Sequence, residues 1–169
     1  MSRLEILWDA SGLVKRYYEE PGSGTVDALF ATSSPHTMRL TPWGYAETYG
    51  ILLRRLNSGV LRQSTFDAAA SNLHAEVLEP SGFELLTIRD VLIFGSLTLM
   101  QAHNINSADA AILATYLRFQ QSTQAQCLLV SSDKRLLRAA KAEGLPGLNP
   151  EETVPGDIAS ALSLLERQQ

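Results

Sequence analysis

The 169-residue chain is 45% hydrophobic and 19% charged, with a formal net charge of −4. That is the balance of an ordinary globular domain rather than a disordered or fibrous chain. No apolar run reaches the roughly 20 residues of a membrane span. The single cysteine, Cys127, excludes an internal disulfide and any cysteine zinc cluster.

The N-terminus has no basic start, apolar stretch and small-residue cleavage site, so a cytoplasmic location is expected. The chain opens with "LEILW", a short apolar strand that stops on Asp9. "SGLVKRYYEE" then reads as a short helix ended by "PGSG", and "TVDALFATS" as a second helix. "HTMRLT" is a second strand. Pro42 can open the helix "WGYAETYGILLRRLNSG", whose Tyr45, Tyr49, Leu52, Leu53 and Leu56 recur at helical spacing. "STFDAAASNLHAEVLEP" is another helix with Ser64 as its cap, and "FELLTI" a third strand. "RDVLIFGSLTLMQAHN" and "NSADAAILATYLRFQQ" are helical in pattern. "AQCLLVSS" is a fourth strand, "DKRLLRAAKAEG" a helix, "LPGLN" a fifth short strand, and the segment after Pro155 a terminal helix. Strands alternating with helices predict an α/β domain: a mostly parallel sheet with helices on both faces. In such sheets ligands gather beyond the carboxyl ends of the strands.

Two carboxylates lie at that address. Asp9 directly follows an apolar strand and precedes the small residues Ala10 and Ser11, and Asp133 follows an apolar strand and Ser131-Ser132. Asp109 falls in the first turn of a helix that Ser107 can cap, and Glu47 sits inside a largely apolar helix with no Lys or Arg four residues away. Taken singly, the aspartates suit helix N-termini and Glu47 suits solvent. Together they suggest a shared site, and converging carboxylates need a cation to remain ionised. Mg²⁺ or Mn²⁺ are hard ions that take oxygen ligands and can activate water against a phosphodiester.

Other acidic and basic residues have simpler readings. Asp90, three after Thr87, fits a capping-box start, and Asp27 and Asp67 fit solvated helix faces. His36, His74 and His103 fall in no metal spacing. The cations, eleven Arg and three Lys, gather at Lys15-Arg16, Arg54-Arg55 and Lys134-Arg135 with Arg138; such groups can grip phosphates, although a solvated helix face explains each. Trp43 and Tyr45 are expected in the core, with a base-stacking surface as the alternative, and Cys127 is expected to be a buried thiol.

"LWDASGLVKRYYEEPGS", "TPWGYAETYGILLRR", "INSADAAILATYLR" and "CLLVSSDKRLLRAAKAEGL" resemble, in order, the motifs of the PIN-domain ribonucleases, most closely the VapC-like toxins of toxin–antitoxin pairs. The resemblance implies a PIN-like three-layer α/β/α fold over residues 1–150, with 151–169 a C-terminal extension of the same domain. It implies that Asp9, Glu47, Asp109 and Asp133 bind Mg²⁺ or Mn²⁺ and cut RNA, with Ser11 and Ser131 supporting the site. It further implies a homodimer and a cognate antitoxin packing a helix near Leu52–Leu61. Where the family's third motif often has His or Tyr after its Asp, this chain has "ADAAILA". An RNA-processing nuclease outside a toxin system, or a catalytically silent binding module of the same fold, is compatible with the same residues.

Overall fold

The computed structural model describes residues 4–166, with side chains through 163. Five parallel strands form one sheet: β1 (Leu4–Trp8), β2 (Met38–Leu40), β3 (Glu84–Leu85), β4 (Gln126–Val130) and β5 (Gly147–Leu148), in the order β3-β2-β1-β4-β5. β1 is central, in register with β4 from Leu4↔Gln126 to Trp8↔Val130. The chain builds outward through β2 and β3, then returns to lay β4 on the other side of β1. The strand order therefore reverses between β1 and β4, where such a sheet opens a crevice at its carboxyl edge.

The two-residue period of the strands divides the core. Leu4, Ile6, Trp8, Leu128 and Val130 face one layer; Leu7, Cys127 and Leu129 face the other. The first layer packs under α1 (Ala10–Leu13), α2 (Ser23–Thr32), α3 (Pro42–Asn57), α4 (Gln63–Leu78) and α9 (Ile158–Glu166), whose Ile158 and Leu162 are buried there. The second packs under α6 (Leu97–His103), α7 (Ser107–Thr123) and α8 (Lys134–Ala142), with α5 (Asp90–Gly95) against α7. This is the three-layer α/β/α arrangement expected from the alternating pattern. Cys127 is buried, and burial pushes its thiol up to about 12. Among the described residues, no helix is long and apolar enough to cross a membrane.

Several local expectations change. "SGLVKRYYEE" forms only the single turn α1 and a 3-10 turn, Val14–Arg16. "FELLTI" pairs over two residues, and "RDVLIFGSLTLMQAHN" is two helices separated at Ser96, whose hydroxyl donates to the Ile93 carbonyl at 2.8 Å. Ser64 lies inside α4, and Arg62 precedes it without a side-chain cap. Arg89 likewise leads into α5 uncapped, with Asp90 in the first turn, so Thr87 makes no capping box. Asp27 pairs with Arg16, and exposed Asp67 accepts from Gln63. Lys15 is not on a solvated face: it is buried, with its ammonium 3.0 Å from Glu20 and 2.7 Å from Glu151. Removing one partner of such a pair leaves a charge buried without compensation. The predicted terminal helix is found as α9 up to Glu166; the part of that expectation that falls on residues 167–169 lies outside the described residues.

Gly12 sets the distance between α1 and β4. A Cβ there would stand 2.7 Å from the Val130 carbonyl oxygen, a backbone atom that cannot step aside. Gly12→Ala is expected to lower stability by about 1–3 kcal/mol, read as a lower urea midpoint with unchanged slope.

Candidate active site

The strand ends deliver Asp9 and Ser131 side by side. The Asp9 amide donates to the Val130 carbonyl at 3.0 Å, extending the β1–β4 ladder by one residue. The Asp9 carboxylate is buried, and donors compensate it: Ser11 Oγ at 2.5 Å, Ser131 Oγ at 2.9 Å and the Ser11 amide at 3.2 Å, all to Oδ2. Ser11 Oγ also accepts from the Ser132 amide at 2.9 Å, and Ser131 Oγ from the Asp133 amide at 3.0 Å. The two serines thus tie the start of α1 to the loop after β4.

Asp133 is the N-cap of α8, its Oδ1 accepting from the amides of Arg135 at 2.7 Å and Leu136 at 3.1 Å. Asp9 caps α1 in the same sense. The capping role read from the sequence is therefore real, and it occupies one oxygen of each carboxylate. Asp109 is held differently. Asn106, not Ser107, caps α7: its side-chain oxygen accepts from the Asp109 amide at 2.9 Å, and its amide nitrogen donates to Asp109 Oδ2 at 2.7 Å. Tyr116, two helical turns on, lies on the same face of α7. It is fully buried and donates its hydroxyl to the Trp8 carbonyl at 2.5 Å, which pins α7 against the end of β1. Sequence reading missed both. The Asn three residues before an Asp in "NINSAD" could have flagged the cap; a tyrosine within an apolar helix face gives no signal of its bond.

Glu47 rides on α3, whose start is capped by Thr41 accepting from the Gly44 amide at 3.0 Å and which packs against α1. Trp43, expected in the core, is 55% exposed one turn before Glu47, whereas Tyr45 does pack against the core. Glu47 is half-buried. Burial first, and Asp9 second, raise its pKa, against hydrogen bonding from Trp43 and the charge of Arg54.

Asp109 reports most directly on the grouping. Its pKa rises from the ordinary 3.8 to about 6, first by burial, then by the charges of Asp9, Asp133 and Glu47, against hydrogen bonding from Asn106. Four elements thus bring four acids within electrostatic reach. They do not form a closed cage: among the described residues, no three His, Cys, Asp or Glu side chains are grouped closely enough to hold an ion as they stand. The donor set nonetheless suits a hard divalent cation, because it is all oxygen and each aspartate has an oxygen to spare. Among the described residues, no hydrogen bond reaches Asp9 Oδ1, Asp109 Oδ1 or Asp133 Oδ2.

The raised Asp109 pKa has a definite sign in stability. Between the ordinary and the folded value, the folded protein binds the extra proton, so stability falls as pH rises through about 6. In EDTA, the thermal midpoint should therefore decline from about pH 4 to about pH 6 in the wild type and less so in Asp109→Asn. Mg²⁺ added near neutrality should raise the wild-type midpoint more than that of the variant.

Comparison with known proteins agrees with the fold. The sequence model described as "PIN domain" matches residues 54–150, a stretch that contains Asp109 and Asp133 but not Asp9 or Glu47. No curated protein matches the chain. Similar solved structures include VapC20 of Mycobacterium tuberculosis, described as a sarcin-ricin loop cleaving toxin (18% identity, TM-score 0.60, covering 80% of this chain and 95% of that one). A toxin–antitoxin complex from Klebsiella pneumoniae is similar at 17% identity and TM-score 0.55, with 88% and 100% covered. FitAcB from Neisseria gonorrhoeae is similar at 14% and 0.55, with 88% and 99% covered. These likenesses share the fold, and the family match extends over more than half of the sequence. On that match, the chain belongs to the PIN domain family.

Proposed function

We propose that the protein is a divalent-metal-dependent endoribonuclease, the toxin of a toxin–antitoxin pair. PIN domains are generally nucleases. The observation that carries the reading is the convergence on Asp109 of Asp9, Asp133 and Glu47, whose charges, after burial, raise its pKa. VapC20, a sarcin-ricin loop cleaving toxin, and the Klebsiella toxin–antitoxin complex support RNA as substrate and an antitoxin as partner.

On this reading Asp9, Glu47, Asp109 and Asp133 hold Mg²⁺ or Mn²⁺, which supplies an activated water and neutralises charge on the phosphate and the leaving oxygen. Ser11 and Ser131 fix the Asp9 carboxylate through Oδ2 and so orient Oδ1. Asn106 does the same for Asp109 through Oδ2. The Tyr116 bond to the Trp8 carbonyl keeps Asp109 and Asp9 in step. Asp109, ionising near pH 6, holds a proton in acid and yields it toward neutrality.

The antitoxin helix is proposed to seat on the C-terminal half of α3 and the turn after it. Leu52 and Leu61 are buried there, which leaves Leu53 and Val60 as the apolar side chains offered to a partner. Homodimerisation belongs to the same proposal, as does a single domain that includes residues 151–169; burial of Ile158 and Leu162 in the first core layer supports the latter.

Total bacterial RNA treated with purified protein in Mn²⁺, with new 5′ ends mapped by sequencing, should show discrete cuts. Those cuts should vanish in EDTA and in Asp9→Asn, Asp109→Asn or Asp133→Asn. Asn caps helices about as well as Asp, so the variants should remain folded by circular dichroism. Wild-type RNA profiles indistinguishable from those of Asp9→Asn would contradict the reading.

A further inference from the structure

Most of the paired cations are engaged within the fold. Lys15 is buried between Glu20 and Glu151, Arg55 pairs with Glu20, and Lys134 stands 2.6 Å from Glu152. Arg135 and Arg138 are different. They lie three residues apart on one face of α8, and both are exposed. Neither forms a salt bridge among the described residues. Among the described residues, the only side-chain hydrogen bond from either is a long one, from Arg135 Nη1 to the Asn104 carbonyl at 3.4 Å.

The two arginines line a cavity of about 440 Å³ between the end of α6 and α8, together with Ala102, His103, Asn104 and Ala139. Among the described residues, its wall contains no carboxylate. The acid bonded to a wall residue, Glu143, is engaged by His103 Nε2 at 2.6 Å. The cavity adjoins the carboxylate site through shared residues. The Arg135 amide donates to Asp133 Oδ1, and Asn104, in the left-handed conformation with φ 51°, ends α6 and leads directly to Asn106, the partner of Asp109. A polyanion approaching four carboxylates on a chain of net charge −4 meets repulsion unless cations lie alongside. Guanidinium forks answer this need, because their donors match phosphate oxygens in pairs.

We propose that this cavity is a subsite for a backbone phosphate of the RNA strand, beside the bond that is cut. Arg135 and Arg138 grip that phosphate. The inference rests on the nuclease reading above and adds to it the residues that hold the strand. Arg135 and Arg138 are binding residues here, so their loss weakens capture of RNA without changing the carboxylates that perform the chemistry.

The test uses the full chain and a fluorescein-labelled single-stranded RNA of mixed sequence, about 12 nucleotides long, near the upper range of a single-domain footprint. Binding is followed by anisotropy over a salt series in Mg²⁺ and the Asp9→Asn background, where the strand stays intact. R135Q/R138Q should weaken binding by about tenfold or more. It should also make the slope of log affinity against log salt shallower by about 0.7, for the one phosphate no longer neutralised. Arg62→Gln, at the N-cap position of α4 and outside the cavity wall, should change neither. R135K/R138K should recover part of the affinity, since charge returns without the fork. In cleavage assays with Asp9 intact, R135Q/R138Q should raise KM and leave kcat and the thermal midpoint near wild type. Unchanged affinity, slope and KM in a wild-type-active background would overturn the subsite and leave the nuclease reading standing. Wild-type protein that neither binds nor cuts RNA would overturn both.

Discussion

The parallel pairing of β1 with β4 is the constraint on which the site depends. It sets Trp8 opposite Val130, so that the next residues, Asp9 and Ser131, leave the sheet together at the point where strand order reverses. Gly12 allows α1 to start within contact of the Val130 carbonyl, and that closeness brings Ser11 to Asp9, Ser131 and the Ser132 amide. A register shift of one residue would turn Asp9 toward the other face and separate these groups. Two apolar layers, one on each face of the sheet, make such a shift costly.

On this rigid base the protein keeps an unfavourable group of charges. Asp9 is buried with three donors on one oxygen, Asp133 uses one oxygen to cap α8, and Asp109 shares one with Asn106. The remaining oxygens have no hydrogen-bond partners among the described residues, and burial first, then like charges, push Asp109 and Glu47 upward. Stability is thereby traded for a readiness to accept positive charge. The bond from Tyr116 to the Trp8 carbonyl keeps α7 from moving away to relieve the repulsion.

The strand-end positions of Asp9 and Asp133 were legible because each carboxylate stands between an apolar, strand-like run and a helical pattern. The layered fold was legible for the same reason, from strands alternating with helices. Glu47 was less so: a glutamate in a helix looks alike whether it faces solvent or a site, and only the packing of α3 on α1 distinguishes the two. Trp43 misled because it was grouped with Tyr45, although residues two apart on a helix point about 200° away from each other. Lys15 misled because its partner Glu151 lies across the whole sequence, and local charge patterns carry no trace of such a pair. At α7 the cap was misplaced by one residue, since Asn106 and Ser107 are both good caps and only the side-chain geometry chooses.

The central claim is that four carboxylates from four elements share one cationic ligand. Mn²⁺ binding, followed by electron paramagnetic resonance of the free ion near neutral pH, tests it without reference to any RNA. Saturable binding to the wild type, weakened in each of Asp9→Asn, Glu47→Gln, Asp109→Asn and Asp133→Asn while Asp27→Asn leaves it intact, is the predicted result. Equal Mn²⁺ binding by the wild type and all four of those variants would contradict the account.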